Sequence, residues 1–118
     1  MKHEISEAEM EIMKILWRQG EEATSAQLQR QCSDWKITTV LTLCKRLEDK
    51  GFLKRRKEGK TNYYRPTLTE EEYKAYQTQN FLEEVHSGSV KSFMAALYNH
   101  EALTQEDLEE LKAWLKNV

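Results

Sequence analysis

The sequence predicts a mainly α fold with a small β-hairpin, and three observations carry that expectation. Apolar residues recur at helical spacing through most of the 118 residues. Ser or Thr followed by an acidic residue at capping distance marks several helix starts, and Gly marks several stops. One stretch alone, residues 52–65, changes to aromatic and β-compatible residues about a glycine turn.

Ser6-Glu7-Ala8-Glu9 reads as a capping box, in which the Ser6 hydroxyl and the Glu9 carboxylate satisfy the first orphan N–H groups. Ala8, Ile12, Ile15 and Leu16 follow at helical spacing, and Gly20 stops this first helix. A short second helix starts near Ser25 and runs through Leu28 to about Cys32, where Ser33-Asp34-Trp35 breaks it. A third begins near Thr38 and reaches Lys50, with Gly51 just beyond its end. Its inward stripe is Val40, Leu43, Cys44 and Leu47, at i, i+3, i+4 and i+7.

Phe52 to Lys57 and Thr61 to Arg65 flank Glu58-Gly59-Lys60, the pattern of a β-hairpin that Pro66 closes. Three helices and then a basic hairpin make the order of a winged helix-turn-helix. In that arrangement the third helix fills the DNA major groove and the hairpin touches the flanking backbone. Residues 1–66 are therefore expected to form a DNA-binding domain.

Residues 67–118 read as a three-helix dimerisation tail. Thr69-Glu70-Glu71-Glu72 opens a helix bearing Tyr73, Tyr76, Phe81, Leu82 and Val85, which Gly88 stops. Val90, Phe93, Met94, Leu97 and Tyr98 form the next stripe, and Thr104-Gln105-Glu106-Asp107 caps a last helix with Leu108, Leu111, Trp114 and Leu115. A segment this short is marginal as an independent core, so its stripes are expected to bury against a second copy of the chain. The expected interface is Tyr73, Tyr76, Phe81, Val85, Val90, Phe93, Met94, Leu97, Leu108, Leu111, Trp114 and Leu115, with Trp114 as an anchor.

Composition bounds the function. Charged residues are 32% and hydrophobic ones 39%, a soluble globular balance, and no apolar run approaches bilayer-spanning length. Met1-Lys2-His3-Glu4 leads straight into a charged amphipathic pattern, so no secretory segment is expected and the expected compartment is the cytoplasm. Two cysteines, Cys32 and Cys44, make no disulfide framework. The net charge of −2 conceals a split, because residues 36–65 carry 10 Lys/Arg against 3 Asp/Glu whereas residues 67–118 carry 4 against 10. A basic segment beside an acidic one points to a polyanion partner for the first, although any charged face is also a solvated one.

The outward face of the third helix presents Thr38, Thr39, Leu41, Thr42, Lys45 and Arg46. Hydroxyls near a helix start bond phosphate or base edges. Leu41 either packs on a thymine methyl or is an ordinary surface leucine. Arg46 reaches guanine, phosphate or an acidic neighbour, with phosphate favoured. In the hairpin, Lys54, Arg55, Arg56, Lys57 and Lys60 crowd into seven positions, and Lys54, Arg55, Lys57 and Lys60 are the candidate phosphate contacts. Trp17, Trp35 and Tyr63 read as packing residues rather than stacking platforms.

Catalysis finds no support. His3, His86 and His100 stand far apart, and there is no glycine-rich phosphate loop, no HExxH and no Cys/His cluster of zinc type. Paired acids such as Glu83-Glu84 and Glu109-Glu110 fall on polar helix faces, and Cys44 faces inward as a small hydrophobe. No enzyme, cofactor, metal or small-molecule substrate is expected.

Two long stretches resemble one known family. Ile5-Ser6-Glu7-Ala8-Glu9-Met10-Glu11-Ile12-Met13-Lys14-Ile15-Leu16-Trp17 resembles the opening of the β-lactamase and methicillin-resistance repressors, the BlaI/MecI family. Thr39-Val40-Leu41-Thr42-Leu43-Cys44-Lys45-Arg46-Leu47-Glu48-Asp49-Lys50-Gly51 resembles their recognition helix. Glu58 to Tyr64 resembles their wing and Thr104 to Leu115 their closing helix, so the similarity covers nearly the whole chain.

The resemblance implies a homodimer that binds a palindromic double-stranded operator and represses transcription. It also implies release by a membrane sensor protease cutting the second tail helix at an Asn-Phe pair, a place that Ala96-Leu97 occupies here. Copper-responsive relatives (CopY-like) end in a Cys-x-Cys cluster, whereas this sequence closes Leu115-Lys116-Asn117-Val118, so no such copper sensing is expected. Leu41 stands where a polar residue is usual, so a different operator sequence is expected. Two other readings compete. A winged-helix protein–protein module would not need basic charge concentrated on the third helix and hairpin. A ligand-sensing regulator of the MarR type would place a dimerisation helix before the winged domain.

Overall fold

The computed structural model describes residues 4–32 and 34–118. The readings made on Met1 to His3, and on Ser33 as a helix breaker, lie outside the described residues. Helix α1 spans Glu7–Gln19. Its capping box is formed in full: Glu9 N–H donates to Ser6 Oγ at 3.2 Å, and Ser6 N–H donates to Glu9 Oε1 at 2.8 Å. Gly20 ends the helix at φ 76°, a left-handed conformation that costs glycine little.

Strand β1, Ala23–Thr24, has no counterpart in the sequence expectations. Two residues show no period. It forms because Ala23 pairs with Tyr64 and Thr24 with Tyr63, antiparallel, across the chain. Thr24 also caps helix α2, Ser25–Gln31, through reciprocal bonds with Gln27. Helix α3 runs Ile37–Asp49, one residue earlier than the expected Thr38. Strands β2, Leu53–Glu58, and β3, Thr61–Pro66, pair from Leu53 opposite Pro66 to Glu58 opposite Thr61. The hairpin is therefore as expected, extended into a three-stranded sheet of order β1-β3-β2.

The expected α3 stripe of Val40, Leu43, Cys44 and Leu47 is buried. It packs with Ile12, Met13, Ile15 and Leu16 of α1, with Leu28 of α2, and with Phe52, Leu53 and Tyr64 of the hairpin. Trp17 and Trp35 are half-buried against this core. Tyr63 lies half-buried beneath Arg56, whose guanidinium carbon is 4.5 Å from the ring centroid.

The chain divides into two compact units, the first ending at Tyr73 and the second beginning at Lys74. The division falls inside helix α4, Glu70–His86, and not at the expected Pro66. Hydrogen bonds and rings extend the first unit. Thr67 N–H donates to Phe52 C=O at 2.9 Å, Thr67 Oγ1 to Gly51 C=O at 2.7 Å, and Trp17 Nε1 to Leu68 C=O at 3.0 Å. Tyr73, expected at the dimer interface, is buried instead in the core of the first unit. Its ring centroid lies 5.5 Å from that of Trp17 and 5.9 Å, edge on, from that of Phe52.

The second unit holds the rest of α4, helix α5, Val90–Asn99, and helix α6, Gln105–Leu115. Thr104 and Asp107 cap α6 reciprocally, each bond 3.0 Å. Phe81, His86 and Phe93 meet edge to face, with centroids 5.5 to 6.1 Å apart. Among the described residues of α5 and α6 none is fully buried. Phe81, Val85, Val90, Tyr98, Trp114 and Leu115 are exposed. Tyr76, Phe93, Met94, Leu97, Leu108 and Leu111 are half-buried, and Met94, Leu97, Leu103, Leu111 and Trp114 line an open apolar groove.

Candidate nucleic-acid interface

Because one stripe of α3 is locked into the core, the helical period turns Thr38, Thr42, Lys45 and Asp49 to the opposite face. All four are exposed. Thr39 and Arg46 lie on one flank of that face, and Ile37, Leu41 and Glu48 on the other. Thr42 Oγ1 donates its proton to Thr38 C=O at 2.9 Å, so in this rotamer the hydroxyl offers an outside group only its lone pairs. Lys36, the N-cap of α3, makes no side-chain cap bond, unlike Ser6, Thr24 and Thr104 at the starts of α1, α2 and α6.

Ion pairs sort the basic residues. Lys45 Nζ lies 3.0 Å from Asp49 Oδ1, one helical turn on, with both side chains well exposed. Arg55 Nε lies 3.3 Å from Glu48 Oε2, joining β2 to the end of α3. Arg46, Lys54, Lys57 and Lys60 form no ion pair among the described residues.

Arg56 is held by two carboxylates within the protein. Its Nε and Nη2 donate to the Glu22 carboxylate at 3.0 to 3.3 Å, and its Nη1 donates to Glu58 at 2.7 Å. Hydrogen bonding to Arg56 lowers the Glu22 carboxyl below its ordinary value, and the two carboxylates raise the guanidinium further. Arg56 is thus a fastener between the hairpin and the segment before β1.

Strand alternation divides the remaining hairpin cations. Arg55 and Lys57 share the face of buried Leu53, whereas Lys54 shares the other face with Arg56 and, across the ladder, Arg65. Lys60 sits in the turn beside Gly59, whose φ is 63°. The structure therefore brings Thr38, Leu41, Thr42 and Lys45 to one surface but puts Lys54 on a different hairpin face from Arg55 and Lys57. Sequence reading missed two exposed residues here. Ile37 precedes the start assigned to the helix, although its i, i+4 relation to Leu41 was available. Arg65 was placed in the hairpin and the charge total but not among the candidate contacts.

Such a surface offers hydroxyls, cations and a helix start to a polyanion, and it holds no cluster suited to bond-making chemistry. Among the described residues no group of three or more His, Cys, Asp or Glu is placed to hold a metal ion. No helix is long and apolar enough to cross a membrane among these residues either.

Comparison with known proteins agrees with this geometry. The family model for the penicillinase repressor matches residues 5–117. The chain belongs to the penicillinase repressor family. It is 34% identical over 113 residues to the methicillin resistance regulatory protein MecI of Staphylococcus aureus, covering 93% of this chain and 91% of that protein. It is 30% identical over 110 residues to the penicillinase repressor of Bacillus licheniformis, covering 92% and 86%. The solution structure of the DNA-binding domain of the repressor BlaI superposes with a TM-score of 0.53 at 33% identity, over 62% of this chain and 94% of that one. A crystal structure of MarR from E. coli gives a TM-score of 0.52 at 17% identity, over 97% of this chain and 77% of that one, which is a likeness of fold. The family is one of regulators and not of enzymes.

Proposed function

We propose that this family member is a sequence-specific transcriptional repressor that acts as a homodimer on a palindromic double-stranded operator. The observation that carries the reading is a pairing of two unfinished surfaces. The first unit turns an uncapped recognition helix outward with hydroxyls and cations on it. The second keeps apolar side chains at the surface that a monomer has no use for, Val90 and Trp114 being 62% and 60% exposed. A second copy would bury them, and two-fold pairing would present two recognition helices to two half-sites. Thr38, Thr39, Thr42, Lys45 and Arg46 would then meet base edges and phosphate, with Arg55, Lys57 and Lys60 on flanking phosphates and Lys54 at the margin. The experiment is sedimentation of the full chain together with titration of a duplex selected from random sequence. A dimer at micromolar concentration, with preferred half-sites about one helical turn apart or a multiple of it, is the expected result. A monomer, or binding indifferent to sequence, would defeat the reading.

Release of DNA by cutting the tail is part of the same proposal. Ala96 and Leu97 lie within α5, a helix that buries no residue fully and so opens locally at low cost. A site for a purified protease, engineered between these two residues, should convert dimer to monomer and weaken operator binding on cutting. Retention of the dimer after complete cutting would remove the tail from the release mechanism. The partner proposed for the natural cut is a membrane-bound sensor protease.

A further inference from the structure

We propose that Ile37 and Leu41 form an apolar pad that reads the 5-methyl groups of thymines within the operator half-site; this deepens the repressor reading and rests on it. Ile37 is 41% exposed and Leu41 39%, and both lie outside the hydrophobic core of the first unit. A large part of each side chain is therefore left open to an outside group. At i and i+4 they are neighbours on one flank of α3, side by side with Thr38, Thr42 and Lys45. Two adjacent large aliphatic groups among hydroxyls and cations are out of place on a surface that touches only phosphate.

The chemistry of the major groove names their occupant. Every base edge there shows a hydrogen-bond donor or acceptor, and the thymine C5-methyl is the apolar group among them. Two half-exposed side chains are far too small for a stable protein–protein contact, which needs about 800 Å² from each partner. They match two methyl groups. Four residues of helix rise about 6 Å, and stacked base pairs about 3.4 Å, so the two thymines should lie one or two base-pair steps apart. The flank is also electrically prepared. Glu48, two turns beyond Leu41 on the same flank, lies 3.3 Å from Arg55, which offsets part of its charge.

The test removes methyl groups from the DNA and from the protein separately. A preferred duplex is selected with the full-length chain, and each thymine in it is replaced in turn by deoxyuridine, which deletes the methyl and keeps every hydrogen bond. Binding is measured at one fixed salt concentration for the wild type, Ile37→Ala and Leu41→Ala. Two uracil positions per half-site should each weaken the wild type about fourfold. Each alanine variant should bind the thymine duplex more weakly by a similar factor and lose the uracil penalty at one of the two positions. Both side chains are exposed and alanine favours helix, so the variants fold. Specific binding with no uracil penalty at any position, or a penalty that survives in both variants, would overturn the pad while leaving the repressor reading intact. Binding with no sequence preference would overturn both.

Discussion

Lys50, just past the last turn of α3, reaches the carboxylate of Glu9 in the first turn of α1 at 2.6 Å, and Glu9 is only 1% exposed. The same ammonium donates to Glu4 C=O at 2.8 Å. One pair thus ties the capping box of the first helix to the end of α3. Burial raises the Glu9 carboxyl, but bonds from Lys50 and Ser6 together outweigh it and leave it below its ordinary 4.5. A lowered folded value contributes stability above the unfolded value, and that stability is lost as pH falls through the folded one. Wild type should therefore lose stability below about pH 4.5, and Glu9→Gln should lose less across the same range, as read by thermal unfolding at stepped pH. Lys50→Met leaves a buried carboxylate unpaired and should cost on the order of 3 kcal/mol, the low end because Lys50 is 29% exposed. Equal acid sensitivity of wild type and Glu9→Gln would show that the pair does not govern this range.

Tyr73 distinguishes core from interface. Its ring packs on Trp17 and Phe52, so Tyr73→Ala should destabilise the first unit by about 3 kcal/mol in a denaturant titration. The sedimentation behaviour of the folded variant should match wild type. A weakened dimer with unchanged unfolding would return Tyr73 to the interface.

Ion pairing separates hairpin cations that composition treats alike. Lys57→Ala and Lys60→Ala should each reduce the slope of log affinity against log salt by about 1, equally on cognate and scrambled DNA. Arg56→Ala should leave that slope unchanged, because the guanidinium is held by Glu22 and Glu58. Asp49→Asn frees Lys45 and removes a negative charge from the outward face, so it should raise affinity on every duplex. An Arg56→Ala variant that lost a full unit of slope would assign that residue to the phosphate contacts.

Cys44 should be chemically silent. Burial, and then the Glu48 carboxylate, push its thiol up to about 12, and the side chain is inaccessible. A thiol reagent at pH 8 should modify half-buried Cys32 first, and Cys44 only upon unfolding. Modification of Cys44 in the native protein at the rate of Cys32 would contradict this packing.

Local relations were legible. The Ser6–Glu9 and Thr104–Asp107 caps, the Gly20 stop, the inward stripe of α3 and the Gly59 hairpin all connect residues within a few positions, where helical or strand period and capping chemistry determine the outcome. The outward face of α3 followed from that stripe, which is why Thr38, Leu41, Thr42 and Lys45 were found from the sequence. Tertiary structure decided what depends on distant partners. Trp17 bonds Leu68 across 51 positions, Lys50 meets Glu9 across 41, and Arg56 meets Glu22 across 34. Pairing of Ala23 with Tyr64 and of Thr24 with Tyr63 made β1, the Trp17–Leu68 bond and the packing of Tyr73 on Trp17 and Phe52 carried the first unit past Pro66, and Glu22 and Glu58 hold Arg56. No period in the chain encodes them, because each arises only when the core brings two surfaces within bonding distance.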